Sequence, residues 1–180
     1  MAELRHRGAM MDSTPLLNDA VQGFLQDAQV LLARSQECLQ HLKLIDSDPD
    51  ACHCLGETLD TLAHRARQFG MVEVAHYTLA LQQLLAPGCQ QGRLHGQSLP
   101  ALAACLTLLD WQLELLDPLT GRLHMDSEEQ QQLLGDLALS LGMPATRLCA
   151  PCQELGTLCA HPHAPGDQPE APAISTDRQH

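Results

Sequence analysis

The stretch DTLAHRARQFGMVEVAHYTLALQQLL, residues 60–85, holds the end of one helix and nearly all of the next. Leu62 and Ala66 continue a helical spacing that begins at Cys54, Leu55 and Leu59. Phe69-Gly70 interrupts it, glycine being the usual residue just past a helix end. Val74, Ala75, Thr78, Leu81, Leu84 and Leu85 then mark the apolar side of a second helix, Val72 to Leu85. Two amphipathic helices joined by so short a turn are expected to lie antiparallel.

Working outward, Ser13-Thr14-Pro15 is a helix start, a hydroxyl N-cap followed by proline. Leu17, Val21, Phe24, Ala28, Leu31, Leu32, Cys38, Leu39 and Leu42 follow at helical spacing, a helix of roughly 30 residues and about 45 Å. Asp46-Ser47-Asp48-Pro49-Asp50 stops it, and the next helix runs from about Asp50 to Gln68. Residues 86–98, with Pro87, Gly88, Gly92 and Gly96, read as a loop. Ser98 is expected to cap a fourth helix reaching Asp117-Pro118. Asp126-Ser127-Glu128-Glu129 opens a shorter fifth, its acidic turn suited to the helix dipole. The prediction is all-α: an up-and-down four-helix bundle over 13–143, with the fifth helix across one end. Residues 1–12 are expected to be flexible. The Pro- and Cys-rich residues 144–180 are expected to be a disordered tail.

Composition agrees. Of 180 residues 44% are apolar but only 2% aromatic, so leucine rather than β-favouring residues must build the core. A net charge of −12 argues against a nucleic-acid partner. No stretch approaches the roughly 20 apolar residues of a membrane span. Arg5, His6 and Arg7 are followed by no apolar run of the secretory kind, and Met10 and Met11 are alternative starts. The eight cysteines are therefore read as reduced thiols of a cytoplasmic protein.

The quoted stretch resembles the histidine-containing phosphotransfer family, especially the N-terminal domain of chemotaxis-type histidine kinases. The match from Phe69 to Leu85 needs no gap: an aromatic-glycine turn, then a helix shaped like Leu-Ala-x-x-x-x-x-Leu-Glu-x-Leu-Leu. The long first helix ending in Asp48-Pro49-Asp50 and the fourth helix, with Leu99-Pro100-Ala101-Leu102, suit the same architecture, over about 100 residues. The resemblance implies a phospho-accepting histidine on the second helix, followed at +3 and +4 by lysine and glycine. In the ungapped register these positions hold Asp60, Ala63 and His64. An imidazole accepts phosphoryl through a neutral ring nitrogen, which a carboxylate does not replace. Receiver-type aspartates succeed only beside Mg²⁺ held by further carboxylates. This register implies a non-phosphorylated binding or scaffold module of bacterial two-component or chemosensory signalling. Its contact residues are Asp60, His64, Arg65 and Arg67, and its partner is a histidine kinase, receiver domain or chemosensory component. A second register, four residues shorter between His64 and Gly70, makes His64 the phospho-acceptor, with Arg67 as helper for the phosphoryl charge. An unrelated helical adaptor is the third alternative.

Other features weigh less. His64 is also a simple i,i+4 neighbour of Asp60, and His76 a boundary residue. In Cys52-His53-Cys54, adjacent helical residues point in different directions, so core cysteines around a surface histidine are expected instead of a metal pair. Cys149, Cys152 and Cys159, with His161 or His163, have the look of a zinc half-site. The six residues between Cys152 and Cys159 are fewer than zinc-finger loops use, so no metal or cofactor is expected. There is no phosphate-binding glycine loop, nucleophile elbow or HExxH, and no enzymatic activity is expected.

Overall fold

Five α-helices carry most of residues 14–143, the part of the chain that the computed structural model describes. They are α1 (Thr14–Leu44), α2 (Pro49–Gln68), α3 (Val72–Gln90), α4 (Ser98–Glu114) and α5 (Ser127–Ser140). The described residues contain no strand, only an isolated antiparallel bridge between Leu116 and Leu123. None of these helices is long and apolar enough to cross a membrane. The expected flexible start, disordered tail and Cys149–His163 cluster lie outside the described residues.

The helices begin and end for local reasons. Asp48 accepts a hydrogen bond from the Ala51 amide at 2.9 Å, and Pro49 occupies the first turn, where its missing N–H costs nothing. Asp126 caps α5 by accepting from the Glu128 amide at 3.1 Å. The α2–α3 turn depends on Gly70, whose φ of +76° lets the Met71 amide reach the Ala66 carbonyl at 2.8 Å. A Cβ at Gly70 meets nothing within 4 Å, so only backbone strain opposes a side chain there. Gly70→Ala is therefore expected to lower stability by about 1 kcal/mol. It should appear as a reduced urea midpoint with an unchanged slope.

α1 packs against α2 and α4, α2 also against α3, and α3 also against α4; α5 lies on α3 and α4. The backbones of α1 and α3 do not come close to one another, nor do those of α2 and α4. Phe24 and Leu42 from α1, Leu55, Leu59 and Leu62 from α2, and Leu81 and Leu85 from α3 meet in one core. Leu102, Leu106 and Leu109 complete it from α4, and Leu137 from α5. Each fully buried leucine contributes about 1.5–3 kcal/mol of transfer free energy.

Three local expectations are corrected. Residues 86–90 are not loop: α3 runs through Pro87 to Gln90. Proline sacrifices one helical hydrogen bond, but tertiary contacts hold the last turn. A Cβ on Gly88 would lie 2.9 Å from a Leu141 methyl, so that glycine is the seat of the α5 end. Arg93, its amide on the Gly88 carbonyl at 2.8 Å, also donates from Nη1 to the Leu141 carbonyl at 3.0 Å. Ser98 is the first residue of α4, not its cap. Its buried hydroxyl accepts from the His95 amide at 2.9 Å and turns its proton to the Arg93 and His95 carbonyls, tying the preceding loop. α4 also stops at Glu114, one turn before Asp117, whose carboxylate accepts from the Leu119 amide and the Thr120 hydroxyl.

Candidate partner-binding face on the second helix

α2 buries Leu55, Leu59, Leu62 and Ala66 and turns outward a stripe of His53, Glu57, Asp60, His64 and Arg67. The intervals of three and four residues place all five on one face. Acid lies toward the middle and Arg67 in the last turn, the end where the helix dipole favours a cation. His53 Nε2 sits 3.2 Å from Glu57 Oε1. Thr58 and Thr61 turn their hydroxyls back to the carbonyls of Cys54 (2.6 Å) and Glu57 (2.8 Å). The charged side chains are thus what the face offers to a partner.

Asp60 occupies the ridge between two depressions. Toward α3 a groove of about 480 Å³ is lined by His53, Gly56, Glu57, Asp60, Gln82 and Cys89, among others. Toward α1 a groove of about 330 Å³ is lined by Leu31, Arg34, Glu57, Thr58, Asp60 and Thr61. No described residue donates a hydrogen bond to the Asp60 carboxylate, which stands in water. Glu57, one turn earlier, is the second carboxylate of both grooves. Among the described residues no three His, Cys, Asp or Glu side chains gather in a way that could hold a metal ion. The Mg²⁺-assisted chemistry of an acceptor aspartate therefore has no ligand set here.

The four expected contact residues do not all lie on one face. Asp60, His64 and Arg67 share the exposed stripe, whereas Arg65 points into the seam with α1. There its guanidinium pairs with Asp27. Arg65 and Arg67 are two residues apart, about 200° around the helix, which is why only one of them stays on the stripe. Arg67 pairs with no carboxylate among the described residues. His76 is half-buried on α3.

Three residues on or beside the face carry no motif: Asp27, Arg34 and Glu57. Glu57 is foreseeable from its phase with Asp60 on the same helix. Asp27 and Arg34 belong to α1, and the register between α1 and α2 that brings them to the site is not written in either helix alone. The end of the stripe is fixed by an aromatic contact, the rings of Phe24 and Phe69 lying 5.6 Å apart, with Phe69 partly exposed.

No family model, curated protein or solved structure matches the chain.

Proposed function

We propose that this chain is a phosphotransfer-like module of a bacterial two-component or chemosensory system, one that binds its partners without carrying phosphate. On this reading α1–α4 form an up-and-down bundle in the cytoplasm and present α2 to a histidine kinase, receiver domain or chemosensory component. One observation carries it. Asp60, at the acceptor position of the ungapped register, is a solvated carboxylate on the ridge between two grooves, with no Mg²⁺ ligand set around it among the described residues. Its fixed negative charge imitates part of a phosphohistidine, which carries more charge at neutral pH.

The test pairs binding with labelling. The purified chain is presented to the histidine kinases and receiver domains of the source genome, each charged with radiolabelled phosphate. A complex with at least one of them and no acid-labile label on the chain are expected. Asp60→Ala should weaken that complex about tenfold, equivalent to about 1.4 kcal/mol. His64→Ala should weaken it less. Absence of any complex overturns the reading.

A second reading is supported by the exposure of His64, one turn beyond Asp60, with Arg67 following on the same stripe. If label appears on the chain and is lost in His64→Gln, His64 is the acceptor and Arg67 its electrostatic helper.

A further inference from the structure

Cys52 and Cys54 stand two residues apart on α2, so their side chains leave the helix about 200° apart. Each finds another thiol. Cys52 lines a groove together with Cys89 of α3, and Cys54 lines another together with Cys38 of α1. All four are free thiols. The pairs differ in their surroundings. Cys38 and Cys54 line an open groove of about 340 Å³ between α1 and α2, shared with His41 and Asp48. Arg34 Nε donates to Cys54 Sγ at 3.3 Å, a cation on one sulfur of the pair. The Cys52–Cys89 pair has no such cation.

We propose that Cys54 and Cys38 form an oxidisable dithiol, in which hydrogen peroxide oxidises Cys54 and Cys38 then closes a disulfide between α1 and α2. The Cys54 thiolate attacks the peroxide oxygen, the O–O bond breaks, and the departing oxygen leaves as water after taking a proton. Cys54 is then a sulfenic acid. Cys38 sulfur attacks the Cys54 sulfur, the S–O bond breaks and a second water leaves with the Cys38 proton. Two thiols lose two electrons in all, and one peroxide becomes two waters.

The division of labour follows from the environment. The neighbouring Cys38 thiol first, and then the Arg34 guanidinium, hold Cys54 below the ordinary thiol range, with burial opposing them. The thiolate is the nucleophile, so Cys54 reacts first. Burial, and then the hydrogen bond to Cys54, pushes Cys38 up to about 12, which keeps it protonated until the sulfenic acid forms beside it. Cys52 and Cys89 are both pushed up by burial and serve as an internal control.

The site does not depend on the phosphotransfer-like reading, and its test uses no signalling partner. The full-length chain is reduced, exposed to hydrogen peroxide at up to tenfold excess, alkylated and cleaved with trypsin. Cleavage after Arg34, Lys43 and Arg65 places Cys38 in peptide 35–43 and Cys54 in peptide 44–65. A cross-linked pair of these peptides, with fragmentation assigning the bond to Cys54, is expected before any other disulfide accumulates. Cys52→Ser should leave its rate unchanged, Cys54→Ser should abolish it, and Arg34→Gln should slow it about fivefold. In the reduced chain Cys54 should be alkylated fastest of Cys38, Cys52, Cys54, Cys89 and Cys105. The proposal is overturned if Cys38 and Cys54 stay reduced while other thiols oxidise, or if Cys54 bonds first to any cysteine but Cys38. These wild-type measurements stand even if a variant fails to fold.

Discussion

Tyr77→Ala is expected to cost about 3–5 kcal/mol, a large share of the 5–15 kcal/mol that holds a domain folded. Tyr77 is 2% exposed and among the largest side chains of a core otherwise made almost wholly of leucine. It lies on α3, which packs against α2, α4 and α5, so leucines cannot fill the vacancy without shifting whole helices. Its hydroxyl donates to the Cys105 carbonyl of α4 at 3.0 Å, which fixes the rotation of one helix against the other. Tyr77→Phe separates the two contributions. The Cys105 carbonyl also belongs to the α4 ladder, so its loss of one donor should cost only about 1 kcal/mol. Urea unfolding followed by circular dichroism gives both values. A loss below about 1.5 kcal/mol for Tyr77→Ala would mean that the α3–α4 seam is loosely packed.

The same residue sets an alkaline limit. Burial, followed by the neighbouring Cys105, holds the Tyr77 phenol well above its ordinary pKa of 10.0. The unfolded chain loses that proton near pH 10 while the folded chain keeps it, so this contribution is intact below pH 10 and declines above it. Tyr77→Phe, having no proton to lose, should flatten the alkaline limb of the stability profile.

The fold was largely legible because helical phase is a local property. Leucine spacing alone places Leu55, Leu59 and Leu62, and Val74, Ala75, Thr78, Leu81, Leu84 and Leu85, on buried faces, where the structure has them. Asp48-Pro49, Gly70 and Asp126 likewise act within one turn of themselves. The misreadings arose where another partner overrode the preference that a residue type suggests. Pro87 and Gly88 look like a loop, yet Leu141, more than 50 positions later, makes that segment the last turn of α3. Ser98 looks like a cap, yet its hydroxyl is spent on Arg93 and His95. The candidate face shows the same division. The outward stripe on α2 follows from sequence, whereas the diversion of Arg65 to Asp27 and the approach of Arg34 to Cys54 depend on how α1 registers against α2. Cys38 and Cys54 are 16 positions apart, and only the folded register makes them a pair.

Gln112 is a core position that breaks the apolar pattern, and replacing it is expected to stabilise the protein. It sits inside α4 with 0% exposure, between the buried Leu109 and Leu113 and among the apolar contacts of that helix. Neither its Oε1 nor its Nε2 finds a hydrogen-bond partner among the described residues. An amide removed from water without compensation costs about 1–3 kcal/mol on the scale of protein mutations. Methionine has the same unbranched shape and nearly the same volume, so Gln112→Met removes that penalty while opening no cavity. The expected result is a gain of about 1–2 kcal/mol in urea unfolding, with an unchanged slope. Gln112→Glu makes the opposite case, because a carboxylate in that position would have to be buried charged or take up a proton. It should destabilise by more than about 2 kcal/mol at neutral pH and partly recover as the pH falls through the raised carboxyl pKa. A loss of stability in Gln112→Met would show that the amide makes compensating hydrogen bonds, and would turn Gln112 from a liability of the core into one of the groups that orient α4 within it.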